Sequence, residues 1–179
     1  MSYPFIFKEN EQWFMIPETR QDSSVRLYES TDFPNKWQLK KKLLENVELL
    51  DTTIHKQEGT YYLFANRYHP ERNTSNECLV VYFSDDLLSP WTAHPQNPLT
   101  VDISNSRPAG KIFNIGSKLI LPTQNCAIRY GYGINFNEIE ISKTHFSMKK
   151  VDSLSPTWLK GNLGSHTWNE DNGVVNSPS

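Results

Sequence analysis

Two short apolar runs joined by a polar turn occur three times along this chain, and this repeat limits the possible folds. FIFKENEQWFMIPE (5–18) aligns with TIHKQEGTYYLFAN (53–66), and GKIFNIGSKLILPT (110–123) has the same order. Each copy is typical of a β-hairpin, because two β-type runs flank a turn that contains Gly or Asn. A unit that recurs at roughly 50-residue spacing indicates a repeat architecture.

A second hairpin follows the first in the first two units. VRLYESTDFPNKW (25–37) aligns with LVVYFSDDLLSPW (79–91). Four aligned pairs are identical in type: Tyr28 with Tyr82, Ser30 with Ser84, Asp32 with Asp86, and Trp37 with Trp91. The extra residues of the second unit fall in the polar loop RYHPERNTSNE (67–77), where insertions are tolerated. Four strands in each unit are typical of a β-propeller blade.

The repeats predict an all-β fold, a partial β-propeller with about three four-stranded antiparallel blades and the start of a fourth. We expect one domain over 1–179, incomplete at both ends. Its repeats should cover approximately 2–50, 51–105, 106–163 and a partial 164–179. KWQLKKKLLENVELL (36–50) has a helix-like pattern, but its alignment favours a strand followed by a loop. An ordinary β-sandwich with accidental internal similarity is the alternative.

Composition narrows the classes of function. The net charge of −2 and the single cluster Lys40-Lys41-Lys42 do not form the basic face expected of a nucleic-acid-binding protein. No run approaches the roughly 20 apolar residues of a membrane span. Cys78 and Cys126 are too few for a disulfide framework, so a reducing, cytoplasmic setting is the default expectation. No metal-ligand spacing and no cofactor motif occur in the sequence.

Polar residues of different types occupy matching places in the repeats. Inner strands of a propeller begin at one rim, so these places should converge on one site. The heads of the inner strands carry Tyr3, Asp51, Arg107 and His166, and the ends of the second strands carry Glu18, Asn66, Thr123 and Gln124. Tyr3, Tyr130 and Tyr132 are candidates for stacking on a sugar ring. Structural roles remain open alternatives: Asp51 as a turn cap, Arg107 as an ion-pair strut and His166 as a surface residue.

The chain resembles one domain family in five stretches: SYPFIF…WFMIPET, DTTIHKQEGTYYLFAN, SDDLLSPWTAHPQNP, SRPAGKIF…LPTQNC and YGYGINFNEI. This family is the N-terminal domain of plant glucosamine inositolphosphorylceramide transferase and its bacterial relatives. That domain is similar to the five-bladed propellers of arabinanases, xylosidases and fructosidases. The resemblance implies a five-bladed propeller concerned with glycans, with sugar transfer assigned to a separate glycosyltransferase domain. Glu18, Asp51, Arg107, Gln124, Asn135 and His166 fall on the family's motif positions.

Three functions follow as hypotheses. The first is binding of a glycan or glycolipid headgroup, accessory to glycosyl transfer and in partnership with a glycosyltransferase. Its ligand contacts would be Tyr3, Asn66, Arg107, Gln124, Asn135 and His166. The second is glycoside hydrolysis, with Asp51 as base and Glu18 as an acid of raised pKa. The third is a non-catalytic interaction scaffold. Whether the chain is an enzyme stays open, although we expect that it does not hydrolyse glycosides by itself.

Overall fold

The computed structural model describes residues 4–72, 74–156, 164–171 and 174–176. These residues form antiparallel sheets. Helical structure among them is limited to short 3-10 turns, such as Arg20–Asp22 and Pro70–Arg72. The predicted all-β class with almost no helix is confirmed.

The first sheet is a four-stranded antiparallel meander. Its strands are β1 (Phe5–Glu9), β2 (Gln12–Ile16), β3 (Ser24–Asp32) and β4 (Lys36–Glu45), paired in chain order. β4 covers most of the segment with the helix-like pattern. It forms a strand because it pairs with β3 along its whole length, with Ser24 opposite Glu45 and Asp32 opposite Lys36.

The second sheet repeats this order with an interrupted outer strand. Its strands are β5 (Leu49–Gln57), β6 (Thr60–Arg67), β7 (Cys78–Ser84), β8 (Thr92–Ala93) and β9 (Thr100–Val101). β8 and β9 both pair with β7, at opposite ends of that strand. The sheet therefore keeps four strand positions.

In the third sheet the inner strand is the interrupted one. The strands are β10 (Arg107–Pro108), β11 (Phe113–Ile115), β12 (Lys118–Asn125), β13 (Gly133–Ile141) and β14 (Phe146–Leu154). β10 and β11 both pair with β12, so four strand positions are again kept.

A short hairpin follows, formed by β15 (Asn169–Asp171) and β16 (Val174–Asn176). The segment before it lies along the third sheet, where Gly110 forms a parallel bridge with Trp168 and the Trp168 N–H donates to the Ala109 carbonyl at 2.6 Å. Gly110 has φ +130°, and a Cβ there would lie 1.9 Å from the Trp168 carbonyl oxygen. Only glycine fits this approach.

Two apolar clusters lie between the three sheets and pack them against one another. Phe14 and Leu27 of the first sheet pack in one cluster with Leu63 and Val80 of the second. The opposite face of the second sheet, through Tyr62, Phe64, Leu79 and Val81, packs in another cluster with Leu121 and Ile139 of the third. The second sheet is therefore apolar on both faces, as expected of a blade between two neighbours.

The repeated residues of the second hairpins occupy equivalent positions. Ser30 lies opposite Trp37, and its hydroxyl donates to the Lys36 carbonyl at 3.3 Å. Ser84 makes the same contact with the Pro90 carbonyl at 3.0 Å, directly before Trp91. Thr92 pairs with Phe83, which places Trp91 level with Ser84. The expected equivalence of Trp37 and Trp91 is confirmed.

Candidate ligand-binding site at the heads of the inner strands

A local irregularity in β5 sets the direction of Asp51. The register with β6 shifts between Leu50 and Thr53, and Asp51 lies within this bulge with φ +49°. Positive φ is uncommon outside glycine and costs conformational energy, so it persists only where the surroundings compensate. The Asp51 side chain is only 3% exposed. We call the end of β5 and β10 where Asp51 and Arg107 lie the head end.

Arg107 balances the negative charge of the buried Asp51 carboxylate. It opens β10, which contacts β5, β6 and β7, and its Nε–H donates to Asp51 Oδ2 at 2.5 Å. Burial disfavours the charged guanidinium, but the charge and hydrogen bond of Asp51 outweigh it and raise the pKa of Arg107. The pair is therefore ionised and buried, so removal of either partner would leave an uncompensated charge.

Gln124 completes the coordination of the carboxylate. It lies opposite Arg107 in the pairing of β10 with β12. Its Nε2 donates to Asp51 Oδ2 at 2.9 Å and to the Pro108 carbonyl at 3.4 Å. Asp51 Oδ2 thus accepts from two side chains, which holds the carboxylate in place.

The Arg107 guanidinium also contacts a loop and a pair of aromatic rings. Nη1 donates to Asn76 Oδ1 at 2.7 Å and to the Ser75 carbonyl at 3.3 Å. The guanidinium carbon lies 4.9 Å from the centre of the Tyr130 ring. His166, which is exposed, stacks on Tyr130 with ring centres 6.0 Å apart and 27° between the planes. His166 is therefore connected to Arg107 through Tyr130.

Glu18 adds a second carboxyl to the head end. It is half-buried, and its pKa is raised by burial and by the negative charge of Asp51, while the positive charge of Arg107 opposes the shift. Glu18 and Asp51 thus differ in environment. Glu18 forms no ion pair with a basic side chain in the described residues, whereas Asp51 is held by Arg107 and Gln124.

The other predicted site residues do not join this group. Asn66 is fully buried on β6, and neither of its side-chain polar atoms has a hydrogen-bond partner in the described residues. Asn135 is buried and donates to the Ser104 carbonyl at 2.7 Å, in the loop that leads to Arg107. Tyr3 lies outside the described residues. The structure therefore brings together Asp51, Arg107 and Gln124, with Glu18 and His166 nearby.

Asn76 is a contact that sequence reasoning missed. The extra polar residues of the second unit look like a tolerated surface insertion, yet this loop supplies two acceptors to Arg107. The excess length was the signal that could have pointed to it, because a loop that the repeat does not require often carries function.

The described parts of the chain offer neither a cluster of metal ligands nor a membrane-spanning helix. No group of three or more His, Cys, Asp or Glu residues there could hold a metal ion. None of the helical segments in these ranges is long and apolar enough to cross a membrane.

The fold is similar to that of several solved carbohydrate-active enzymes. An exo-β-1,3-galactanase from Clostridium thermocellum matches with a TM-score of 0.65 at 17% identity, over 96% of this chain and 36% of that one. A xylan β-1,4-xylosidase from Bacillus halodurans matches with 0.63 at 15%, over 96% and 35%. An inulosucrase from Halalkalicoccus jeotgali bound to kestose matches with 0.57 at 17%, over 85% and 50%. At these identities the likeness shows the fold alone, and it confirms the predicted propeller architecture.

The sequence comparisons point to one family. The rice protein Glucosamine inositolphosphorylceramide transferase 1 (Oryza sativa subsp. japonica) is 32% identical over 142 residues, which cover 78% of this chain and 19% of the relative. The Arabidopsis thaliana protein of the same name is 30% identical over 172 residues, covering 94% and 22%. This chain thus spans about a fifth of its plant relatives. The family model described as Glucosamine inositolphosphorylceramide transferase 1, N-terminal, matches residues 1–173, and the chain belongs to that family.

Proposed function

We propose that this domain binds a glycan or the sugar headgroup of a glycolipid at the head end, as an accessory to glycosyl transfer. The observation that carries the proposal is the buried Asp51–Arg107 pair, in which Arg107 Nη2 and Asp51 Oδ1 have no hydrogen-bond partner among the described residues. The names of the plant relatives and the carbohydrate-active fold neighbours support a carbohydrate ligand.

The unused groups suit a hydroxyl. Arginine has five N–H donors. In Arg107, Nε donates to Asp51 and Nη1 donates to Ser75 and Asn76, whereas Nη2 makes no hydrogen bond within the described residues. Asp51 Oδ1 likewise accepts none from that part of the chain. Each sugar hydroxyl both donates and accepts, so it can satisfy a carboxylate oxygen and a guanidinium N–H together.

Charge and aromatic surface favour the same ligand class. Asp51 neutralises the charge of Arg107. The nearby Glu18 carboxyl, whose pKa is raised, contributes no positive charge, so the head end offers little net attraction for an anion. Tyr130 is 54% exposed beside the guanidinium. An exposed aromatic ring next to polar groups provides an apolar surface for the C–H face of a sugar ring.

Calorimetric titration tests the proposal. β-1,3-Galactotriose, xylotriose and kestose, which are bound in structures of fold neighbours, serve as neutral probes beside glucosamine. Arg107→Lys keeps the positive charge but loses the forked donors, and we expect it to weaken binding at least about tenfold. Arg26→Lys is the control, because Arg26 forms a partly exposed ion pair with Asp22 in the first sheet. No heat with any sugar, or equal affinities for the two variants, would contradict the proposal.

Glycoside hydrolysis is the second candidate, favoured by the raised pKa of Glu18 beside the Asp51 charge. Two carboxyls in unlike environments can divide acid and base roles. Against it, Asp51 is already engaged by Arg107 and Gln124. We expect no turnover of aryl-glycosides of arabinose, xylose, glucosamine or fructose. Turnover that Glu18→Gln and Asp51→Asn both abolish would establish hydrolysis instead.

A further inference from the structure

The loop between β6 and β7, residues 68–77, is the part of the second sheet that its repeat does not explain. The corresponding strands of the first sheet, β2 and β3, are joined by the shorter segment 17–23. A longer connection costs conformational entropy, although the cost grows slowly with length. The fold therefore tolerates the additional residues without requiring them, and we infer their role from their contacts.

Hydrogen bonds between His69 and Thr74 narrow this β6–β7 loop, and the end of the loop is joined to the segment before Arg107. The His69 N–H donates to the Thr74 carbonyl at 2.9 Å, and the Thr74 N–H returns a bond of 3.3 Å. At the end of the loop the Asp102 N–H donates to the Glu77 carbonyl at 2.8 Å and also to Ser106 Oγ at 2.9 Å. Ser106 directly precedes Arg107, so the loop and the arginine share one anchoring point.

We propose that Asn76 is a positioning residue that turns one edge of the Arg107 guanidinium toward a ligand. Its Oδ1 accepts from Nη1 at 2.7 Å, and the Ser75 carbonyl accepts from the same nitrogen at 3.3 Å. Asp51 holds Nε. Three donors are thus occupied, and within the described residues Nη2 is the part of the guanidinium left for a ligand. The role of Nη2 in ligand binding rests on the proposed glycan function, whereas the restraint on Nη1 does not.

The amide is suited to this task because it is neutral. An aspartate at position 76 would accept equally well, but it would place a second carboxylate beside Arg107 and leave the head end with net negative charge. An alanine would leave Nη1 with only the longer bond to the Ser75 carbonyl. Asn76 thus restrains the guanidinium without adding a further charge beside it.

Nitrogen-15 NMR of the full chain without sugar tests the restraint. In the wild type we expect separate Nη1 and Nη2 signals for Arg107, because both sides of the guanidinium are differently bonded. Asn76→Ala removes a hydrogen bond to a charged group, so rotation about the Nε–Cζ bond should accelerate about tenfold. Asn76→Asp keeps the acceptor and should restore slow rotation. Asn35→Ala, in the exposed turn between β3 and β4, is the matched control and should leave the signals unchanged.

Unchanged rotation in Asn76→Ala would overturn the proposal, as would failure of Asn76→Asp to restore the wild-type signals. If Asn76→Ala does not fold, Asn76→Gln replaces it, because the longer side chain moves the acceptor and should also accelerate rotation. The measurement needs no ligand. Slow rotation together with absent sugar binding would contradict only the glycan function, and fast wild-type rotation with intact binding would contradict only the positioning role.

Discussion

The first and second sheets carry the same pattern of apolar residues in different surroundings. Ile6 and Ile54 occupy matching places in β1 and β5, yet Ile6 is 42% exposed and Ile54 is 8% exposed. Phe33 and Leu87 match in the same way, at 44% and 5%. The second sheet lies between two neighbours, and the described first sheet packs on one. The repeat thus determines which residues are apolar, and neighbouring sheets determine how far each is buried.

The comparison extends to ion pairs. Arg26 of the first sheet pairs with Asp22 of the preceding 3-10 segment at 3.2 Å, and their side chains are 25% and 53% exposed. Arg107–Asp51, between the second and third sheets, joins side chains that are 8% and 3% exposed. Water screens the first pair, so its contribution to stability is small, whereas each charge of the second pair depends on the other.

Replacement of the buried arginine should have the largest effect. Arg107→Met leaves Asp51 charged and unpaired, and we expect it to lower the free energy of unfolding by about 3–5 kcal/mol. Arg26→Met should lower it by about 1 kcal/mol or less. Urea denaturation at pH 7 measures both. Similar losses in the two variants would show that burial does not distinguish the pairs.

The matched isoleucines come next. Ile54→Ala opens a cavity between the first two sheets and should cost about 2–4 kcal/mol, because burial and packing are both lost. Ile6→Ala removes a half-exposed side chain and should cost about 1 kcal/mol or less. Chemical denaturation of the two variants gives the comparison directly. A cost for Ile6 equal to that for Ile54 would mean that the face of β1 is covered in solution.

The repeat alignment predicted much of this arrangement, and physical reasons explain what it did not predict. Hairpin turns and alternating side chains located the sheets, and the matching of Trp37 with Trp91 follows from the same local pattern. Asp51 and Arg107 meet because their strands begin at the same end. The bulge at Asp51 and the contact from Asn76 depend on packing between sheets, which a one-dimensional pattern does not contain.

Acid should weaken the second sheet's contact with the third. His94 is buried, its Nε2 donates to the Ser142 carbonyl at 3.1 Å, and its Nδ1 accepts from the Gln96 N–H at 3.2 Å. Burial lowers the pKa of His94, while its backbone hydrogen bonds partly oppose the shift. A lowered pKa means that the stabilisation is complete above the unfolded-state value near 6.5 and is lost as pH falls through the folded-state value.

We therefore expect the melting temperature of the wild type to fall between pH 7.5 and pH 5 by more than that of His94→Gln. His145→Gln, at an exposed position in the facing hairpin turn, removes a neighbouring charge that also lowers the pKa of His94, so its melting temperature should fall slightly less than that of the wild type. The burial of His55 also lowers its pKa, so His94→Gln should remove only part of the dependence. Identical pH profiles for wild type and His94→Gln would count against this account.

The smallest effect should come from Glu18. Its pKa is raised, so the favourable contribution of the protonated carboxyl is present at low pH and disappears as pH rises through the folded-state value. Glu18→Gln should therefore raise the melting temperature slightly at pH 7 and leave it unchanged near pH 3.5, below the ordinary carboxyl range. Glu29→Gln, in the first sheet, loses its ion pair with Lys40 and should show no such gain at pH 7. A gain at pH 3.5 as large as that at pH 7 would refute the assignment.

We expect the head end of the second and third sheets, rather than the aromatic surface of the first, to bind a sugar. Trp13 stacks on Phe33 with ring centres 4.4 Å apart, and Trp37 lies beside them, so the first sheet offers a rival surface. The most direct measurement is a nitrogen-15 NMR titration with β-1,3-galactotriose, xylotriose and kestose. We predict that the Arg107 Nε–H and Gln124 side-chain signals shift with added sugar while the indole signals of Trp13 and Trp37 stay in place. Movement of the indole signals with Arg107 and Gln124 unchanged would contradict the account.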